Sequence, residues 1–158
     1  MKKVITFLVL AVLVSIASEL KAQADMIVGY YLTVDDESDD PRSQVRIFKA
    51  TNGKYYGEII WLRDPLNDDG TIKVDDKNPD PKMHTRKIQG LQILKDFTYD
   101  ASKNEWSGGS IYSPTSGKTY KSYLKFEGDN NLKVRGYIGS AWMGLGKTVY
   151  WKKEQSRR

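Results

Sequence analysis

The chain has 158 residues, with 25 Lys+Arg against 20 Asp+Glu, a single His (His84) and no Cys. That length suits one domain. The missing Cys excludes disulfides, thiolate metal sites, iron–sulfur clusters and a cysteine nucleophile, and the lone His excludes multi-His metal sites.

The chain opens with Met1-Lys2-Lys3, followed by the apolar run Val4–Ala17 and the small residues Ala22-Gln23-Ala24. A basic start, a short apolar middle and small residues at a cut site form a secretory signal pattern, assigned to residues 1–22 with cleavage after Ala22 or Ala24. The run falls short of the ~20 apolar residues of a spanning helix. The expected location is periplasmic or secreted, with no membrane-spanning segment.

Beyond it the dominant period is two, the signature of half-buried strands. An opening strand is predicted near Val28–Val34. The acidic cluster Asp35–Asp40 ends at Pro41 and reads as a solvated loop. Gln44–Lys49 and Tyr55–Leu62 flank Asn52-Gly53, the strongest short-range hairpin signal. Arg63–Gln89 has little periodicity and several Asp, Asn, Gly and Pro residues; a segment of this kind can act as a lid. Leu91–Tyr99 and Trp106–Tyr112 form a second hairpin. Thr119–Phe126 places Tyr120, Ser122, Leu124 and Phe126 on one face. Leu132–Ile138 points Leu132, Val134 and Ile138 inward and Arg135 outward, and Lys147–Lys152 closes the set. These segments predict an all-β fold, a single antiparallel up-and-down barrel of about eight strands over residues 27–153, with a basic tail at 154–158.

The formal charge of +5 comes from the chain ends. Residues 23–151 hold 18 positive and 18 negative side chains, and a nucleic-acid partner, which needs clustered positive charge, is not expected.

Several motifs then occur in order: Asp76-Lys77-Asn78-Pro79-Asp80-Pro81, Arg86-Lys87-Ile88-Gln89-Gly90-Leu91, Trp106-Ser107-Gly108-Gly109, Pro114-Thr115-Ser116-Gly117-Lys118, Leu132–Gly139 and Gly146–Trp151. Their succession resembles the bacterial exported family called domain of unknown function 2147. The resemblance implies a small lipocalin-like barrel with no established activity. It departs where Gly29-Tyr30-Tyr31 has Tyr in place of the usual Trp and Gly146-Lys147-Thr148 has Lys in place of the usual Arg.

An eight-strand barrel is either filled by side chains or holds one small ligand. Trp61, Trp106, Tyr120, Arg135 and Trp142 are the candidate ligand-binding residues, through aromatic walls and a guanidinium suited to a carboxylate or phosphate. Asp76, Asn78, Asp80 and Arg86 are the loop candidates. The Asp75–Asp80 stretch lacks the glycine turn and later acid of a calcium loop and reads as a solvated turn, so no metal is expected. Trp142–Leu145 forms an apolar tip able to touch a surface or cap the barrel. No catalytic constellation and no cofactor motif is present. The expected function is a non-enzymatic exported barrel binding a small apolar or amphipathic ligand. The other class is an envelope interaction or structural protein with a filled core.

Overall fold

The structure, a computed structural model, describes residues 18–34, 38, 40–141 and 145–157. Eight strands run in chain order: β1 Gly29–Val34, β2 Pro41–Lys49, β3 Tyr55–Leu62, β4 Gln92–Asp100, β5 Glu105–Ser113, β6 Lys118–Phe126, β7 Asn131–Tyr137 and β8 Gly146–Glu154. Each pairs antiparallel with the next, and β1 pairs with β8, so the sheet closes into an up-and-down barrel. Closure removes the exposed edges that an open sheet of this size would present. Among the described residues no helix is long and apolar enough to cross a membrane.

Alternation fills the barrel from within. Tyr31, Val45, Ile47, Phe97, Trp106, Leu124, Leu132 and Val134 are all buried, and their chain neighbours mostly face water. Gly109 makes room for this packing, because a Cβ there would collide with the ring of Phe97. Register shifts interrupt the alternation at several places. On β3, Gln44 pairs with Trp61 and Val45 with Ile59, leaving Ile60 as an extra residue. On β4, Tyr55 pairs with Phe97 but Gly57 with Leu94. The surplus there includes Asp96, whose φ of 65° is held by bonds from the Tyr56 hydroxyl at 2.9 Å and Lys54 Nζ at 3.3 Å. Each bulge re-aims the side chains that follow it.

One end of the barrel is closed. Residues 18–25 are helical, a feature the period-two reading does not anticipate, and the chain continues across the barrel end into β1. Ile27 is completely buried, and its carbonyl accepts from the Tyr31 hydroxyl at 2.7 Å. Trp106 Nε1 donates to the Ala24 carbonyl at 2.9 Å, and Lys153 Nζ donates to the Met26 carbonyl at 2.6 Å. Asp25 takes an ion pair from Lys49 at 2.7 Å and a hydrogen bond from Tyr55 at 2.6 Å. Above this cover the rings of Tyr99, Trp106, Phe126 and Tyr31 form a chain of contacts, with centroids 5.0 to 6.5 Å apart.

The C-terminal residues are docked on the outside. Leu32, Gln44 and Trp61 lie side by side on the outer face of β1–β3. The fully buried Gln44 amide donates to Glu154 and to the Gln155 carbonyl at 2.8 Å, and it accepts from the Arg157 N–H at 2.9 Å. The Arg157 guanidinium lies 5.2 Å over the Trp61 ring.

Candidate functional site

The other end is open and contains a cavity of about 860 Å³. Its walls are mainly aliphatic, with Tyr112, Tyr120 and Trp151 adding aromatic surface. Ile59, Ile93, Ile111, Val134 and Val149 line it, with Trp151 below Val149 on the same face of β8. Hydroxyls of Thr33, Ser43 and Tyr120 enter from the sides, and the rim carries Arg42, Arg63, Asp64, Lys73 and Lys147. Ser122 pairs with Gly136, which lines the cavity; the Ser122 hydroxyl is fully buried and has no hydrogen-bond partner among the described residues.

The segment between β3 and β4 lies as a strap at this end, contributing Arg63, Asp64, Lys73 and Ile88 to the cavity wall. It is not structureless. Bridges join Leu66 to Ile72 and Val74 to Lys87, and Pro81–Met83 form a 3-10 turn capped by the Asp80 side chain. Its centre is Asp75, which is completely buried. One carboxylate oxygen accepts from the Tyr112 hydroxyl on β5. The other accepts from Arg86 Nη2 at 2.7 Å and Asn78 Nδ2 at 2.8 Å. His84 Nε2 lies 2.7 Å from the Asn78 carbonyl; a carbonyl only accepts, so that nitrogen carries the proton. Burial pushes the Asp75 carboxyl upward, but the bonds from Tyr112, Arg86 and Asn78 with the Arg86 charge outweigh it and hold it below the usual range. Burial and the neighbouring carboxylate raise Tyr112 in turn. A second attachment joins the strap to the β5–β6 turn. Lys77 Nζ donates to the Thr115 carbonyl at 3.0 Å, and the Lys77 carbonyl approaches Gly117 so closely that a Cβ would not fit.

The predicted site residues separate into three groups. Tyr120 lines the cavity, and Asn78 and Arg86 hold Asp75. Asp80 caps the 3-10 turn, and Asp76 is exposed. Trp61, Trp106 and Arg135 do not line the cavity. The bulge at Ile60 turns Trp61 outward beneath Arg157 and brings Leu62 inward. Trp106 faces inward but belongs to the closed end. Arg135 lies on the outer alternation of β7 and bonds Thr148 Oγ1 at 2.9 Å. Ile138, expected inward, sits at the rim and is 64% exposed. Trp142 and most of the acidic cluster lie outside the described residues. Sequence reasoning singled out neither Asp75 nor Tyr112. Asp75 is distinguished from Asp76 by its burial and by the bonds it accepts from Tyr112, Arg86 and Asn78. Among the described residues no group of three or more metal-ligating side chains occurs.

Comparison with known proteins agrees with this architecture. The profile of a family described as "Uncharacterized protein conserved in bacteria (DUF2147)" matches residues 29–153. A solved structure of HP1028 from the human pathogen Helicobacter pylori, described as belonging to the lipocalin family, is similar with a TM-score of 0.66. Identity to it is 29%, over 82% of this chain and 83% of that one. No curated protein matches.

Proposed function

Since the chain belongs to the DUF2147 family of uncharacterized bacterial proteins, whose description names no activity, we propose a function from the open half of the barrel. It is a non-enzymatic, exported binding protein that takes a small apolar or amphipathic ligand into the cavity.

The observation that carries this reading is the aliphatic cavity of about 860 Å³. Its size falls in the range of small-molecule sites, roughly 300–1,000 Å³. Eight-strand barrels of lipocalin type hold one small ligand when their interior is not filled, and the similarity to a lipocalin-family structure supports the same use. The affinity would come from desolvation, at about 25 cal/mol per Å² of apolar surface removed from water. The alkyl part of a ligand suits the Ile and Val walls, while a polar end would remain among the charged rim residues. The strap would gate the entrance. Export rests on the N-terminal sequence pattern. A filled core, needed for a purely structural role, is the weaker reading given this cavity.

Native mass spectrometry of protein purified from its own periplasm is the test, together with thermal shift against lipid-like compounds. A co-purifying apolar ligand is the expected result. If nothing co-purifies and no such compound raises the unfolding temperature, the binding function is excluded.

A further inference from the structure

We infer, on the reading that the cavity takes a ligand, that the Tyr112–Asp75 contact is the latch setting how fast that ligand enters and leaves. Tyr112 belongs to the cavity and to the strap at once: its ring lines the former and its hydroxyl holds the buried carboxylate of the latter. Asp75 is joined in turn to the strap residues over the ligand space. Its N–H donates to the Arg86 carbonyl at 2.8 Å, and two residues away on the same ladder the Ile88 N–H donates to the Lys73 carbonyl at 3.1 Å. Lys73 and Ile88 both line the cavity. Displacing Asp75 therefore displaces part of the cavity wall.

The partners of Asp75 divide unequally. Arg86 and Asn78 are on the strap and travel with it; Tyr112 alone is on the barrel. When the strap lifts, the carboxylate keeps its cation and its amide and gives up one hydroxyl. Opening thus gives up the bonds of the Tyr112 hydroxyl to Asp75 and Asn78 and the Lys77–Thr115 bond, without stranding a buried ion, the far more expensive event. Such a contact is strong enough to keep the strap shut and weak enough to release.

Tyr112→Phe retains the cavity-lining ring and deletes the latch. With 1-N-phenylnaphthylamine as the probe in stopped-flow fluorescence, association and dissociation rates should both rise about tenfold, the worth of a hydrogen bond to a charged group. The dissociation constant should stay within about twofold, since gating alters both rates alike. Gly117→Ala, which forces the Lys77 carbonyl away, should shift the rates in the same direction with Tyr112 intact. Tyr150→Phe, whose hydroxyl bonds Glu127 on the outer surface at 3.0 Å, should leave both rates unchanged. Hydrogen exchange of the Asp75 and Ile88 amides in the ligand-free protein should quicken in Tyr112→Phe. Unchanged rates in a variant that still binds the probe would overturn the latch, as would a changed dissociation constant produced by a change in one rate alone. If the wild type binds no probe, the cavity reading fails instead, and the latch falls with it only if amide exchange is also unaltered.

Discussion

The indole of Trp106 donates to the main-chain carbonyl of Ala24 across 82 residues of sequence, at 2.9 Å. The two residues join the start of the folded chain to the middle of the barrel wall. With Asp25, Met26 and Ile27 they make the stretch before β1 part of the fold. Cleavage after Ala22 would retain this carbonyl, and cleavage after Ala24 would remove it. A chain beginning at Asp25 should therefore be less stable than one beginning at Gln23 by about 1–3 kcal/mol, the cost of an orphaned buried donor. For a domain of this size that is a fall of several degrees in Tm, read by circular dichroism. Equal Tm values would mean that water replaces the carbonyl.

Acid should weaken both ends of the barrel. Asp25, through its bonds from Lys49 and Tyr55, and Asp75, through bonds that outweigh its burial, titrate in the fold below the ordinary 3.8. A carboxyl depressed on folding stabilises fully above its unfolded value, and the gain is lost as pH falls through the folded value. Tm should thus be level from neutral pH to about 5 and decline below about 4. Asp75→Asn should cost about 1–3 kcal/mol at neutral pH, and the gap to wild type should narrow in acid. A gap that stays constant to pH 2.5 would show that Asp75 is not a group responsible.

Gln44→Ala should detach the C-terminal residues. The amide is fully buried with three bonds to residues 154–157, and the variant leaves the Arg157 N–H and the Gln155 carbonyl without that partner. The expected loss is about 2 kcal/mol. Carboxypeptidase digestion followed by mass spectrometry should show faster trimming; trimming at the wild-type rate would contradict the docking role.

Val149→Phe should fill part of the cavity without disturbing the packed end. Val149 lines the cavity and is only partly buried, so added volume enters open space rather than a dense core. Probe affinity should fall at least tenfold, with Tm within a few degrees of wild type. Undiminished affinity would place the ligand elsewhere.

The strands were legible in the sequence because alternation and turn chemistry are local signals. Tyr55–Leu62 is predicted with its observed limits, and the Asn52-Gly53 turn falls where expected. The bulges were not legible. An extra residue at Ile60 inverts the facing of everything after it, so Trp61 becomes an outer residue and Leu62 an inner one. Trp106 illustrates a different limit: alternation assigns a side chain to the interior but not to one end of it. The strap was visible as a break in periodicity, with Asn78 and Arg86 marked as candidates. Asp75 was hidden among neighbouring acids because its burial depends on Tyr112, 37 residues later.

The uneven filling of the barrel also divides what substitution can do. Around Tyr99, Trp106 and Phe126 the rings support one another, and a change there strikes the foundation of the molecule. Around Ile59, Ile93 and Val149 the side chains border empty volume, so they are free to vary in size. A lineage could therefore exchange one cargo for another by editing the upper walls alone, and a protein engineer could do the same. The closed end makes the open end adaptable.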